Sequence, residues 1–372
     1  MIRKIAFIGG RDIHTLGGIE NYMLNLSAKL VQQGYDVTVY CESNCHNTTI
    51  ENGVKIVRWK SFGKNLIDKP LLGLFSTLHA IFINRNVDLI HYNAWPPSLW
   101  SWIPSVFFGK KTLMQGHGLE WQRTKYTAKQ QKIMRFMERF TAHLNRNLIM
   151  VSQDQTDFFM KEYGRKCVTI TPGIPEPEMV SNKTSESVMQ KYGLKDGKYF
   201  LYLGRLVQDK NPDVLIRSFL SLDLPDYKLV IAGNNPSNPD YVAHLKDLAA
   251  GRPDVIFTDA VFGETKFSLI SHAFAYCIPS SLEGLPISLL ECMSYARYCI
   301  ASDIPGCREA LGGNGVFVPL SCLETGFASA MRRAVEESQE LPRIGFLNKE
   351  RAMKLFSWDT IAQKYIAYIN DL

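Results

Sequence analysis

No apolar run in the 372-residue chain is long enough to cross a bilayer. The longest nearly uncharged stretches, PLLGLFSTLHAIFI (70–83) and WPPSLWSWIPSVFF (95–108), have 14 residues each, where a spanning helix needs about 20. The segment MIRKIAFIGG has neither the apolar length nor the cleavage pattern of a signal peptide, so a cytoplasmic protein is expected. The eight cysteines are scattered, with no CxxC and no Cys/His group at zinc spacing. That argues against a disulfide scaffold or a structural zinc site and for reduced thiols. The glycines after the first apolar run, GGRDIHTLGGIEN, do not form GxGxxG, which leaves a dinucleotide-dependent oxidoreductase poorly supported. No Asp-x-Asp metal motif stands out, since Asp223 and Asp226 in LDLPD do not make one. There is no obvious nucleophile–base–acid triad, no internal repeat and no low-complexity tract.

What is present is the composition of an ordinary soluble protein, with 46% hydrophobic and 21% charged residues. The length favours two domains. Short apolar runs alternate with helical patterns twice over. IAFIGG, DVTVYCE, VKIVRW, VDLIHYN, KTLMQGHG and NLIMVS fill the first half; YFLYLGRL, YKLVIAG, DVIFTD, AYCIPS, YCIASD and GVFVPL fill the second. Such alternation predicts parallel sheets covered on both faces, hence two doubly wound α/β domains. In the first helical pattern, 19–34, Ile19, Met23, Leu26 and Leu30 recur at three or four and Gly34 stops it. The polar, proline-rich TPGIPEPEMVSNKTSES (171–187) marks the boundary.

The net charge of +6 is uneven. Residues 1–175 hold 22 Lys and Arg against 12 Asp and Glu, and the remainder holds 20 against 24. Between Arg123 and Arg146 stand seven basic residues (Arg123, Lys125, Lys129, Lys132, Arg135, Arg139, Arg146) and one acid, Glu138. Such a run is either a solvated helix face or a seat for an anionic partner: a membrane surface, a phosphorylated acceptor or nucleic acid. No zinc finger or RNA-binding aromatic signature supports nucleic acid. Trp121, Tyr126 and the aromatic stretch 95–108 lie beside the run, although 95–108 reads equally well as a core helix.

In doubly wound sheets ligands bind at the carboxyl ends of the strands. After the first strand, Gly17 and Gly18 directly precede a helix, where glycine permits close backbone approach and the helix N-terminus favours phosphate. After KTLMQ comes His117 between two glycines. After YFLYL comes GRLVQDKN, whose Arg205 and Lys210 suit a diphosphate. After AYCIPS comes SLEGLPISLLE. Pro286 there is expected at the first helical position. Glu283 falls in the turn with Gly284 and Leu285. Glu291 falls about five residues into the helix, roughly 7 Å further along. Two carboxylates so placed reach different hydroxyls of one extended ligand. Each feature alone also has an ordinary structural explanation: a strand–helix turn, a loop histidine, surface charges, an acid favouring a helix dipole.

Taken in order, these segments resemble the retaining glycosyltransferases of GT-B fold, family four, over nearly the whole chain. GGIENYMLNLSAKLVQQGYDVTV resembles the family's glycine loop and first helix, GRLVQDKN its Gly-Arg-Leu…Lys segment, and PSSLEGLPISLLECMSYA its Glu-x7-Glu signature. SDIPGCREAL, NGVFVPL and the closing FSWDTIAQKYIAYI follow in family order. The resemblance implies an acceptor-binding domain at 1–172 and a donor-binding domain at 173–355. The two would face across a cleft, with a helix (356–372) crossing back to the first. It implies that Arg205 and Lys210 hold the diphosphate of a nucleotide sugar, Glu283 hydroxyls of the transferred sugar and Glu291 the ribose. Gly284 and Leu285 would belong to the donor site, Gly17 and Gly18 would close on the phosphates, and His117 would approach the reacting sugar. No metal or other cofactor is implied, and the acceptor would be a glycan or lipid-linked glycan. Two positions depart from the family pattern: Asn211-Pro212 stand where glycine is commoner, and Gly118 replaces the acid that often follows the histidine. HGLEWQRTKY resembles a bacterial polysaccharide-assembly subgroup, some of whose members handle rhamnose. The remaining alternative is a non-catalytic nucleotide-sugar-binding protein of the same fold, which retention of both glutamates and both cations argues against.

Overall fold

In the computed structural model β1 (Lys4–Ile8) lies in the middle of an eight-stranded sheet. Residues 2–15, 17–63, 65–119, 121 and 127–372 are described, with backbone only at 65 and 66. The other strands of this sheet are β2 (Asp36–Ser43), β3 (Asn47–Glu51), β4 (Val54–Lys60), β5 (Leu89–Asn93), β6 (Lys111–Gly116), β7 (Asn147–Met150) and β8 (Val168–Thr169). Their order is β3-β4-β2-β1-β5-β6-β7-β8. All pairs are parallel except β3–β4.

β3 has no counterpart in the parallel pattern read from the sequence. The turn Asn52-Gly53 explains it: both residues take positive φ, 50° and 79°. That is the backbone of a two-residue hairpin, which folds β3 back on β4.

The helix Gly18–Gln32 buries Tyr22, Met23, Leu26 and Leu30 against one face of the sheet. It stops two residues before the glycine expected to end it, and Gly34 takes φ 82° just beyond. The closing helix Trp358–Asn370 adds Trp358, Ile361, Ala362, Tyr365 and Ile369 to the same core. Met1–Gly173 and Trp358–Leu372 together form one unit.

The other unit is Ile174–Ser357. Its strands are β9 (Tyr199–Leu203), β10 (Lys228–Ala232), β11 (Val255–Asp259), β12 (Ala275–Ile278), β13 (Tyr298–Ser302) and β14 (Val316–Val318). They form an all-parallel sheet in the order β11-β10-β9-β12-β13-β14, with apolar cores on both faces. The break in strand order puts β9 beside β12, so the loops that leave their carboxyl ends are neighbours.

The units divide between Gly173 and Ile174, inside the polar stretch 171–187, and the helix Asn182–Tyr192 begins in its second half, capped by Ser181, whose Oγ accepts from Thr184 N at 3.1 Å. One further expectation is corrected. The stretch 95–108 is not one core helix. It is a short turn, Pro97–Trp100, then the helix Trp102–Phe108, which leaves Val106 and Phe107 exposed. Among the described residues no helix is long and apolar enough to cross a membrane.

The one acid of the basic run, Glu138, points inward from the helix Ala128–Leu144 and is 1% exposed. Its Oε1 accepts from Tyr163 OH (2.9 Å) and Trp121 Nε1 (3.2 Å), while Oε2 has no partner among the described residues. Burial pushes its pKa up to about 7 against the pull of those two donors. A carboxyl raised in the folded state adds stability that is complete below its unfolded pKa of about 4.5 and lost as pH rises through about 7. Glu138→Gln keeps the acceptor oxygen and removes the charge. Its melting temperature should match wild type at pH 4 and exceed it at pH 8, by a stabilisation of at most ~3 kcal/mol. A variant less stable than wild type at pH 8 would contradict this.

Candidate active site

The segment after β9 turns sharply because of Asn211. This residue sits at φ 48°, ψ 42°, in the left-handed region, which asparagine enters more readily than most side chains. The family's glycine is commoner at this position for the same reason. Asparagine adds what glycine cannot: its Nδ2 donates to Pro279 O at 2.9 Å, across from the β12 loop. Pro212 then opens the helix Pro212–Leu220 with φ already set.

A second tie joins the same loops, since Ser281 donates to Asp209 O through both its N (2.9 Å) and its Oγ (3.1 Å). Between the ties the Lys210 ammonium is ion-paired with the Glu283 carboxylate. Glu283 is largely buried, its side chain 10% exposed, and Lys210 is partly buried. The pair is therefore less screened than a surface pair. Arg205 lies apart from it, exposed and without an ion-pair partner among the described residues. Its carbonyl accepts from the buried Tyr202 OH at 3.0 Å, which fixes the backbone from which the guanidinium projects.

The loop after Glu283 feeds the helix Ile287–Ser294, with Pro286 at its cap rather than in its first turn. Gly306 packs directly under this loop: a Cβ there would lie 2.5 Å from Gly284 O and 2.9 Å from Glu283 O. The Leu285 side chain is buried in the core, so only its backbone is free to touch a ligand. Glu291 is partly buried and does not stand alone. Lys266, from the helix Gly263–Ser271, donates to its Oε1 at 2.8 Å. These loops thus present the Lys210–Glu283 and Lys266–Glu291 pairs together with Arg205. Such a set suits an anionic ligand rich in hydroxyls.

The sequence-predicted residues of the other unit have different surroundings. Gly17 caps the helix Gly18–Gln32, but the space of its missing side chain belongs to the protein itself. A Cβ there would lie 2.0 Å from Glu20 Oε2. Glu20 is buried and accepts from Arg11 N at 2.8 Å. Gly18 has no atom within 4 Å of the corresponding point. Of the two glycines, then, only Gly18 leaves room for a ligand, with the exposed Arg11 guanidinium nearby.

His117 is half-buried after β6. Its Nε2 is 3.3 Å from Asn93 Oδ1, and its ring meets the Tyr22 ring edge-on at 5.2 Å. Asn93, at the end of β5, stands as a partner where the acid expected after the histidine is missing. Desolvation pushes the His117 pKa down to about 3, so the imidazole is neutral at physiological pH. Lys266, Arg11, Glu20 and Asn93 carry no local signal in the sequence. Each is identified only by its contact.

Residues 16–176 match the family described as Glycosyltransferase Family 4, and residues 197–337 match Glycosyl transferases group 1. Alpha-maltose-1-phosphate synthase of Mycolicibacterium smegmatis is 23% identical over 321 residues, 78% of this chain and 81% of that protein. The solved sucrose-phosphate synthase of Thermosynechococcus elongatus aligns with a TM-score of 0.83 at 19% identity over 99% of this chain and 98% of that one. HepE of Anabaena, in complex with UDP and glucose, aligns over the whole of both chains with a TM-score of 0.78 at 17% identity. The structural likenesses establish the GT-B fold. The two family matches in chain order establish the rest: the chain belongs to the group 1 glycosyltransferases, family four, and is a glycosyltransferase.

Proposed function

We propose that the enzyme transfers a sugar from a nucleoside-diphosphate sugar to a hydroxyl of a glycan or lipid-linked glycan, with retention of anomeric configuration, in bacterial surface polysaccharide assembly. The observation that carries this reading is the Lys210–Glu283 pair, with Arg205 in the same segment after β9 as Lys210. A cation and a carboxylate tied together at the ends of adjacent strands fit the junction between a diphosphate and a sugar.

In this reading Arg205 and Lys210 take up the charge that develops on the departing diphosphate, the part a metal plays elsewhere. Glu283 accepts hydrogen bonds from hydroxyls of the transferred sugar, and Glu291 from those of the ribose. Gly284 and Leu285 contribute backbone groups. Gly18 admits the phosphates, with Gly17 holding the turn. The neutral His117 offers a hydrogen bond to the reacting sugar. The bond from the anomeric carbon to the phosphate oxygen breaks, and the acceptor oxygen bonds to the same face. The acceptor's proton passes to the leaving phosphate oxygen. The reaction therefore needs no protein nucleophile. UDP in the HepE complex supports a nucleotide site of this kind. The likeness of 117–126 to polysaccharide-assembly enzymes supports the acceptor class; most of that segment, with Arg123, Lys125 and Tyr126, lies outside the described residues. A cytoplasmic enzyme working at the inner face of the cell membrane fits this acceptor.

The test is a product assay with UDP-, GDP- and dTDP-sugars and glycan acceptors. The product's anomeric proton coupling should match the donor's, and EDTA should leave turnover unchanged. An inverted product, or activity abolished by EDTA and restored by magnesium, would overturn the mechanism.

A further inference from the structure

We infer that the outward face of the helix Ala128–Leu144 is a docking surface for anionic lipid. The inference rests on the reading above only in taking the acceptor to be lipid-linked.

Lys129, Lys132, Ile133, Phe136, Arg139, Phe140 and His143 recur at three or four and lie on one stripe of that helix. All seven are exposed. The apolar members are not marginally so: Ile133 is 48% exposed, Phe136 69% and Phe140 47%. The two phenylalanine rings stack, with their planes 11° apart. A capping box fixes the start of the helix, with Thr127 Oγ1 accepting from Gln130 N. The stripe is therefore a defined surface and not a fraying end.

The charge on this face is of one sign for a structural reason. Glu138, the only acid between Arg123 and Arg146, is turned inward and held by Tyr163 and Trp121. Arg135 is occupied, bound to Glu162 at 3.2 Å with its guanidinium over the Trp121 ring. Lys129, Lys132 and Arg139 have no ion-pair partner among the described residues.

Three cations with no ion-pair partner among the described residues, flanking three exposed apolar side chains, are the composition of a helix that lies in a bilayer interface. Its rings enter the headgroup–acyl boundary and its cations meet lipid phosphates. A solvated helix has no use for the phenylalanines, and a nucleic-acid surface has none for Ile133. The same unit exposes a second apolar group on a packed neighbour. The helix rests on the turn Pro97–Trp100, which leads into Trp102–Phe108 with Val106 69% and Phe107 67% exposed.

Co-sedimentation of the full chain with vesicles tests this. Vesicles of phosphatidylcholine alone are compared with vesicles containing one-third phosphatidylglycerol, at low and high salt. Wild type should bind the anionic vesicles, more weakly as salt rises, and the neutral ones poorly. Each cation near the surface accounts for roughly fivefold in affinity, so Lys129→Gln/Lys132→Gln/Arg139→Gln together should lose on the order of a hundredfold. Phe136→Ser/Phe140→Ser should lose binding that low salt does not restore. Wild-type-like melting curves confirm that the variants fold.

Equal binding to both vesicle types, or a triple variant that binds like wild type, overturns the inference. So does a dimer that Phe136→Ser/Phe140→Ser dissociates without any vesicle binding, which would assign the face to a second copy. Transfer to a water-soluble acceptor reports on the proposed reaction separately. If transfer to that acceptor and to a detergent-solubilised lipid-linked glycan both fail while vesicle binding holds, the proposed acceptor chemistry is wrong and the surface stands.

Discussion

Lys210→Ala should lower turnover by on the order of a hundredfold to a thousandfold. That is the cost of about 2.7–4 kcal/mol seen when one pre-organised stabiliser of developing charge is removed. Lys210 has a second task that Arg205 lacks, because it neutralises a carboxylate that is nine-tenths buried. Without it, Glu283 is left in low dielectric with no cation, and a buried charge that loses its partner is destabilising. Lys210→Ala should therefore lower both turnover and melting temperature. Arg205 is exposed and pairs with no acid among the described residues, so Arg205→Ala should lower turnover and leave the melting temperature near wild type. The double variant Lys210→Ala/Glu283→Gln should recover stability but not activity, since the glutamine needs no counter-charge. Steady-state kinetics and thermal melts on the three variants check this. Near-normal turnover in both single alanine variants would remove the two cations from the mechanism.

The contrast between these cations also marks what the sequence could and could not disclose. That each follows a strand was legible from the apolar run YFLYL and the polar residues after it. So was the turn-then-helix setting of Glu283 and Glu291, because glycine, proline and helical spacing are local signals. The Lys210–Glu283 pair spans 73 positions. It depends on β9 lying beside β12, a strand order that no local pattern encodes. Lys266 escaped for the same reason. Its partner Glu291 is 25 residues away, and a lysine in GETKF looks like any exposed helical lysine. Gly17 has a neighbour that the sequence does not announce: the Glu20 carboxylate lies where a side chain at this position would be. Asn211 was a departure from pattern until its φ of 48° showed that asparagine meets the same backbone demand as glycine. The hairpin strand β3 could have been found from Asn52-Gly53, a local signal that the dominant parallel rhythm of the chain obscured.

Glu283 and Glu291 should separate cleanly in calorimetry with the free nucleoside diphosphate and with the intact donor. Glu291→Ala should weaken both ligands, since ribose is common to them. A hydrogen bond to a charged group contributes about 1.5–3 kcal/mol, so the loss should be roughly tenfold to a hundredfold in Kd. Lys266→Ala should weaken both in the same direction by less, because Lys266 holds the Glu291 carboxylate at 2.8 Å and does not replace it. Glu283→Ala should behave differently in sign. The free nucleotide carries no sugar for Glu283 to meet, and removing the carboxylate releases the Lys210 ammonium from its ion pair. An unpaired ammonium attracts a diphosphate more strongly than a paired one. Affinity for the free nucleotide should hold or rise while sugar transfer falls by at least tenfold. If Glu283→Ala and Glu291→Ala lose the free nucleotide equally, the two carboxylates do not divide the donor between them. If Glu283→Ala tightens the nucleotide and yet transfers sugar normally, Glu283 serves only to hold Lys210.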